Sequence, residues 1–208
     1  MSKGAATRIA ILDAAVAVSC RRGLNGLNLD PLARQAGLSK SGLYAHFGSR
    51  AALEQAALER AAERFRETVL APAKQEPAGI GQIAGVFRRW LDWPELAGLP
   101  GSCPFFAAAF ELDDESGPAR DQLVRLVREF LAVLSALVGH AIRRGQLSLS
   151  TDPQTLALEL LTLRLSYHWQ ARLLREPGAR ERTWDALERL LVASGARHVP
   201  GIEPSFGR

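Results

Sequence analysis

The sequence predicts an all-α protein. Apolar residues recur at intervals near 3.6 along most of the 208 residues, which is the period of a helix with one buried face. Alanine and leucine dominate the apolar residues, whereas aromatic residues make up only 7% of the chain. This composition favours helices, because strands are enriched in β-branched and aromatic residues.

Most of the predicted helices begin at a capping residue or a proline, and most end at a glycine or before a proline. The beginning of the second helix is open, because Asn28 and Asp30 are both suitable N-caps. The predicted helices cover about residues 5–22, a short segment ending at 36, 39–47, 50–70, 80–93, 104–112, 118–144, 153–175 and 179–194.

Positive charge is concentrated at the N-terminal end. Residues 1–50 contain seven of the 26 Lys and Arg residues but only two of the 22 Asp and Glu residues, a net charge of +5. The remaining residues are close to neutral. This asymmetry indicates a polyanionic partner for the basic end, although a chance cluster of arginines would give the same balance.

Several classes of protein are not indicated by the sequence. Cys20 and Cys103 are far apart, as expected for two buried, reduced thiols. No secretory signal and no apolar run of membrane-spanning length is found, so we expect a cytoplasmic protein. The four histidines are scattered, and no nucleophile elbow, metal-ligand spacing or phosphate loop occurs, so we expect neither an enzyme nor a bound cofactor.

The second and third predicted helices form a helix-turn-helix, with Gly37 in the turn. In this arrangement the second of the two helices can project from the body and enter the major groove of DNA. Ser39 caps that helix, and the free amides of its first turn suit a phosphate oxygen. Lys40 adds a cation at the same end.

Residues 8–56 resemble the N-terminal domain of the TetR family of transcriptional repressors. The most specific segments are "ILDAA", "LARQAGLSKSGLYAHF" and "GSRAAL". The resemblance implies a three-helix DNA-binding domain over residues 1–49, joined to a six-helix ligand-binding and dimerisation domain over residues 50–208. It also implies a homodimer that binds a palindromic double-stranded DNA operator and is released by a small-molecule effector. A ligand-independent activator or architectural DNA-binding protein is the alternative.

The resemblance also implies DNA contacts. Gly42 departs from the family pattern, because many members have Thr there, so fewer side chains are expected to read bases. Tyr44 could instead pack half-buried against the core, and His46 could only end its helix. The predicted DNA-binding residues are Asn28, Ser39, Lys40, Ser41, Gly42, Tyr44, His46 and Arg50.

Aromatic and polar residues of the longer domain are candidates for a pocket that holds an apolar or aromatic ligand. Aromatic residues at helical spacing are also typical of an ordinary core, so that alternative stays open. Glu111 could orient a polar ligand group, but we expect a solvated helix end. The predicted ligand-binding residues are Trp90, Trp93, Cys103, Phe106, Phe110, Phe130, Tyr167 and His168.

The last two predicted helices are apolar on more than one face, as expected for helices that bury both a core face and a partner face. In the family such a pair meets its twin in a four-helix bundle. The residues predicted for this dimer interface are Leu156, Leu160, Leu163, Trp184, Leu187 and Leu191.

Overall fold

A computed structural model of the protein describes residues 3–35, 37 and 39–201, and helices joined by turns make up this part of the chain. The predicted all-α fold class is confirmed. The helices are α1 (Lys3–Arg22), α2 (Leu29–Gln35), α3 (Lys40–Phe47), α4 (Arg50–Phe65), α5 (Ala71–Ala73), α6 (Ile80–Leu91), α7 (Trp93–Leu96), α8 (Pro104–Leu112), α9 (Pro118–Arg143), α10 (Pro153–His168) and α11 (Ala179–Ala193).

Two helices predicted as continuous include a π-helical segment, at Arg66–Leu70 after α4 and at Trp169–Leu174 after α10. A π turn bonds each amide five residues back, and its side-chain pattern differs too little from an α-helix to be read from sequence. The predicted helix over residues 80–93 ends earlier, at Leu91. The short α7 follows, with a proline in its first turn.

The chain packs as two compact units. The first contains Met1–Arg64 and Gly98–Val127, and the second contains Phe65–Ala97 and Arg128–Arg208. The domain boundary predicted after residue 49 is drawn by function, between DNA-binding and ligand-binding residues. The packing of the chain does not test it, so it stays a prediction. By packing, α8 and the first part of α9 belong with the N-terminal helices, because they cover the same core.

The core of the first unit fixes α3. Leu43 is fully buried, and the remainder of this core comes from α1, the turn between α1 and α2, α2, α4, α8 and α9. Burial of one leucine contributes about 2 kcal/mol, which a helix as short as α3 needs because it is marginal alone. The buried residues of this core are Ile11, Leu12, Ala15, Leu24, Leu27, Leu32, Ala33, Leu43, Leu53, Ala57, Leu58, Ala62, Ala108, Leu123 and Leu126.

An aromatic cluster occupies the core of the second unit. The ring of Phe65 meets Trp93 edge to face at 5.0 Å between centroids and Phe130 at 5.1 Å. Trp90 meets Phe130 at 4.7 Å. Edge-to-face pairs of this kind each add about 1 kcal/mol beyond area burial, so the cluster is a stable element of the core.

Most of the side chains predicted for the dimer interface belong to the core of the second unit. Five of the six are buried within the single chain, at 0–3% exposure, so they have no surface left to bury against a partner. They hold α10 and α11 to the core of the second unit, and only Leu163 keeps partial exposure. The five core residues are Leu156, Leu160, Trp184, Leu187 and Leu191.

Across the described residues, none of the helices combines the length and the apolar character that crossing a membrane requires.

Candidate nucleic-acid interface

The helix α3 is capped at both ends. The Ser39 hydroxyl oxygen accepts a hydrogen bond from the Gly42 amide at 3.0 Å, as an N-cap does. At the other end Gly48 adopts a φ of 73°, and its amide donates to the Tyr44 carbonyl at 2.7 Å. A residue with a Cβ is strained at that angle, so glycine ends the helix there.

The segment before α2 resolves where this helix begins. The Asn28 side-chain oxygen accepts from the Asp30 amide at 3.2 Å, and α2 begins at Leu29. Asn28 is therefore the capping residue. Asp30 lies in the first turn, where its negative charge interacts favourably with the partial positive charge of the helix N-terminus. The turn that follows α2 contains Gly37, whose φ of 67° is the left-handed conformation that glycine adopts freely.

One face of α3 is anchored and the opposite face is open. Leu43 is the buried anchor, whereas Tyr44 keeps 52% exposure, so its phenol can reach a partner instead of packing in the core. Lys40 and Ser41 are exposed, and Gly42 and His46 are half-buried. The face therefore presents a cation, two hydroxyl groups and an imidazole on a helix short enough to fit a groove.

Two of the predicted cations already have internal partners. The Lys40 ammonium lies 3.2 Å from the Asp30 carboxylate, and both side chains are about half exposed or more. Arg50 donates from Nε to Glu54 at 2.7 Å, and its Nη2 lies 3.4 Å from the carbonyls of Leu24 and Asn25. The exposed Lys40–Asp30 pair contributes little stability, so a phosphate can compete for Lys40, and the Arg50 side chain is itself about half exposed to an incoming phosphate.

The structure adds Arg8 to this surface. It is an exposed residue of α1, and its guanidinium lies over the Phe47 ring, 5.0 Å from the centroid. Phe47 closes α3 beside His46, at 6.3 Å between ring centroids. In the sequence Arg8 is only one of several N-terminal cations. The helical pattern does not show that it packs against the Phe47 ring, because the two residues lie on different helices.

Glu111 is not the solvated helix end that we expected. Its Oε2 accepts hydrogen bonds from the amides of Leu24, at 2.7 Å, and Asn25, at 3.1 Å, in the turn between α1 and α2. These residues are 86 and 87 positions apart in the chain, so no local pattern could have shown the contact.

The eight predicted ligand-binding residues divide between the two units. Cys103 and Phe106 are buried in the first unit, at 2% and 9% exposure, whereas Phe110 is 57% exposed on α8. Phe110 is therefore not enclosed in that unit. The other five belong to the second unit, where Trp90, Trp93 and Phe130 pack in the aromatic cluster and Tyr167 and His168 are half-buried at the end of α10.

A buried cation accompanies the aromatic cluster. Arg164 is only 2% exposed, and its Nε donates to the Trp90 carbonyl at 3.0 Å. Its guanidinium lies 5.9 Å from the Trp90 ring centroid and 5.1 Å from that of Tyr167, where cation–π attraction stabilises the charge. The burial of Arg164 could not be predicted from sequence, because an arginine in an apolar helix ordinarily extends to solvent.

Burial also shifts the titration of two neighbours. Loss of hydration raises the pKa of the Tyr167 phenol above its ordinary value of 10.0, although the positive charge of Arg164 opposes the shift. Burial, followed by the charges of Arg164 and Arg172, holds the pKa of His168 below its ordinary value of 6.5. Both side chains are therefore neutral near pH 7.

An open cleft of about 330 Å³ lies beside Tyr167 in the second unit. Tyr167 is the predicted ligand-binding residue that lines it. The other lining residues connect the π segment to α11: Ala171, Arg175, Glu176, Pro177, Gly178, Ala179, Arg180 and Glu181. Within the described ranges, no three His, Cys, Asp or Glu side chains are grouped so as to hold a metal ion.

Comparison with known families matches both parts of the chain. Residues 11–57 match the family described as bacterial regulatory proteins, tetR family. Residues 79–187, more than half of the chain, match the family described as tetracyclin repressor-like, C-terminal domain. The first match contains α2 and α3, and the second contains the aromatic cluster apart from Phe65.

Individual proteins similar to this chain are transcriptional regulators as well. The HTH-type transcriptional regulator SrpR of Pseudomonas putida is 27% identical over 156 residues, 72% of this chain and 67% of SrpR. A TetR regulator from Chloroflexus aurantiacus is 26% identical with a TM-score of 0.83, covering 92% of this chain and 97% of its own. AibR, solved with isovaleryl coenzyme A and operator DNA, has a TM-score of 0.68 at 19% identity, over 87% and 95% of the two chains.

Proposed function

We propose that this chain, which belongs to the TetR family of transcriptional regulators, is a repressor that binds a palindromic operator as a homodimer and is released by a small-molecule effector. Proteins of this family are transcription factors, so the chain is a regulator and not an enzyme. The operator, the dimer, the repression and the chemistry of the effector are the proposed parts.

The observation that carries the proposal is the two-faced α3. Leu43 fixes the helix in the core of the first unit, whereas Lys40, Ser41 and Tyr44 on the open face have no role in that core. An anchored helix with a polar, cationic outer face is suited to the major groove, where hydroxyl groups and cations find phosphate and base-edge partners.

Each DNA-binding residue has a proposed role. Ser39 and the first amides of α3 receive a phosphate, and Lys40 leaves Asp30 to bind another. Asn28 and Arg50 bind backbone on the flank of the site. Tyr44 and His46 reach from α3 to the backbone and the groove edge, and Gly42 lets the helix approach DNA closely. Because Gly42 offers no side chain, base reading depends on few contacts.

An exposed apolar surface supports the dimer. Of the nine large hydrophobic side chains that are exposed among the described residues, five lie on α10, its π segment and α11. A concentration of exposed apolar side chains marks an interface when it exceeds the scattered background. We name these five the apolar face; they are Leu158, Trp169, Leu173, Leu174 and Val192.

The effector is proposed to be apolar or aromatic and to bind in the second unit. The supporting observation is that the second unit contains several aromatic side chains together with the half-buried Tyr167 and His168. AibR, which shares this fold, was solved in complex with an organic ligand, isovaleryl coenzyme A, and with operator DNA. An effector releases the operator only if it binds the DNA-free conformation more tightly.

Selection from random DNA duplexes with the purified full-length protein tests the DNA-binding part. We expect enrichment of one palindromic sequence whose half-sites lie about one helical turn or a multiple apart. Failure to enrich any palindrome would refute the operator and the dimer together.

The effector is tested by repeating the binding measurement with indole, naphthalene and decanoate as probes. We expect at least one aromatic probe to raise Tm and weaken operator binding together, since both follow from preferential binding to one conformation. Operator affinity that no probe changes would favour the ligand-independent activator or architectural protein instead.

A further inference from the structure

The turn between α1 and α2 is held from two sides. Its Leu24 and Asn25 amides donate to the Glu111 carboxylate, at 2.7 and 3.1 Å. The carbonyls of the same two residues lie 3.4 Å from Nη2 of Arg50, the first residue of α4. Two consecutive residues of the turn are therefore fixed between a carboxylate and a guanidinium.

The turn that Glu111 holds begins at a glycine. Gly23 has a φ of 69°, an angle at which a residue with a Cβ is strained, and a Cβ there would overlap the Glu111 carboxylate in its present position. The backbone angle therefore requires glycine, and a larger residue would also displace the flexible end of Glu111. Because Leu24 itself is 2% exposed and packs in the core, the bound amides cannot swing out freely to water.

The segment before α8 holds the end of α1 in the same way. The Ser102 amide donates to the Cys20 carbonyl at 2.9 Å, in the last turn of α1. A Cβ on Gly101 would overlap that same carbonyl oxygen, so the close approach of the two backbones requires glycine. Residues 101–111 therefore contact both the end of α1 and the turn that leads into the helix-turn-helix.

We infer that Glu111 is a positioning residue for DNA binding, which holds the turn so that Asn28 and Arg50 have the correct geometry for the operator backbone. This inference rests on the proposed function. Glu111 does not contact DNA in this scheme. It acts through Leu24 and Asn25, and any movement of α8 that withdraws its carboxylate loosens the turn and lowers operator affinity.

The physical reason is preorganisation. Hydrogen bonds to a carboxylate are roughly twice as strong as neutral ones, and here two converge on one oxygen. Without these hydrogen bonds the turn samples other conformations. DNA binding then has to order the turn, which lowers the affinity for the operator. Arg50 would lose the fixed carbonyls that orient it, although it keeps its charge.

The test compares three variants of the full-length protein on the selected operator. Glu111→Ala removes both hydrogen bonds, whereas Glu111→Gln keeps an acceptor oxygen without the charge. Glu115→Ala is the matched control, because it removes the same charge from an exposed position of the neighbouring turn. We expect Glu111→Ala to lower operator affinity about tenfold, within the usual range of coupling between sites, and Glu111→Gln to recover most of that loss.

Two readouts separate positioning from direct contact or general stability. The dependence of affinity on salt should be unchanged in Glu111→Ala, since no phosphate contact is lost, whereas loss of a phosphate contact lowers the slope by about 1. Hydrogen exchange should accelerate at the Leu24 and Asn25 amides in Glu111→Ala but not in Glu115→Ala. Combining Glu111→Ala with Arg50→Ala should cost less than the sum of the two effects.

The outcomes are distinguishable. If the wild-type protein selects a palindrome and Glu111→Ala binds it as tightly as the wild type does, the inference is overturned while the proposed function stands. The same holds if Glu115→Ala loses as much affinity, because charge alone then explains the effect. If the wild-type protein selects no DNA, the proposed function fails, and the positioning role fails with it.

Discussion

Arg180 binds Asp92 through two parallel hydrogen bonds, Nε to Oδ1 and Nη2 to Oδ2, both at 2.9 Å. The pair joins the first turn of α11 to the residue between α6 and α7. Asp92 is only 9% exposed, and the bond to its carboxylate raises the pKa of Arg180. The two-point geometry fixes the orientation of both planar groups, which a single ion contact does not.

Removal of the arginine should therefore be costly. We expect Arg180→Ala to lower the free energy of unfolding by about 2 kcal/mol, because a mostly buried carboxylate loses two charged hydrogen bonds. Urea unfolding at fixed protein concentration measures the change. Arg189→Ala, an exposed position of the same helix, is the control and should change stability by about 0.5 kcal/mol or less. Equal effects of the two variants would contradict this assignment.

Lys40 should make a phosphate contact that is visible in the salt dependence of operator binding. We expect Lys40→Ala to lower affinity and to reduce the slope of log K against log salt by about 1, because one fewer counterion is released. The binding isotherm is measured on the selected operator at several salt concentrations. Lys74→Ala, an exposed lysine of the second unit, should leave the slope unchanged. An unchanged slope in Lys40→Ala would exclude this contact.

The apolar face should mediate dimerisation. We expect Leu158→Glu combined with Leu173→Glu to weaken dimerisation at least about tenfold, because charges would enter a dry interface. Sedimentation equilibrium measures the dissociation constant of the dimer. Leu149→Glu is a strict control, since Leu149 is 90% exposed but lies in the loop before α10. A dimer that survives the double substitution would place the interface elsewhere.

His168 should make the protein less stable in mild acid. Its pKa in the folded state lies below the ordinary 6.5, so the unfolded chain binds more protons as the pH falls through that region. The contribution of His168 is therefore fully present above about pH 6.5 and is lost as pH falls through the folded pKa. Unfolding free energies of the wild type and His168→Gln, compared from pH 7.5 to 5, should converge. Parallel profiles would show that His168 is not the group responsible.

The order and limits of the helices could be predicted well from sequence. Capping residues, glycines and prolines are local signals, and Ser39, Gly48 and the prolines that begin α8, α9 and α10 are found where they were expected. The π segments and α7 could not be predicted, because a shift of one hydrogen-bond register leaves the apolar period almost unchanged.

The predicted DNA-binding residues lie close together in the sequence, and their role in binding DNA stays a prediction. Lys40, Ser41 and Tyr44 fall within two turns of one helix, so a single periodicity determines which residues share a face. The residues predicted for the dimer interface show the limit of this reasoning. Leu187 and Leu191 form a clear stripe in the sequence, but a stripe does not tell whether a helix buries it in its own chain or against a second one.

The sequence by itself determined the helical fold, the helix-turn-helix with its caps and the basic character of its end, since all three follow from neighbours within a few residues. Only the tertiary structure decided that Glu111 holds the turn at Leu24 and that Arg164 is buried beside Trp90. Those contacts join residues more than 70 positions apart. Periodicity identifies which face of a helix is buried, whereas the packing of several helices determines what that face meets.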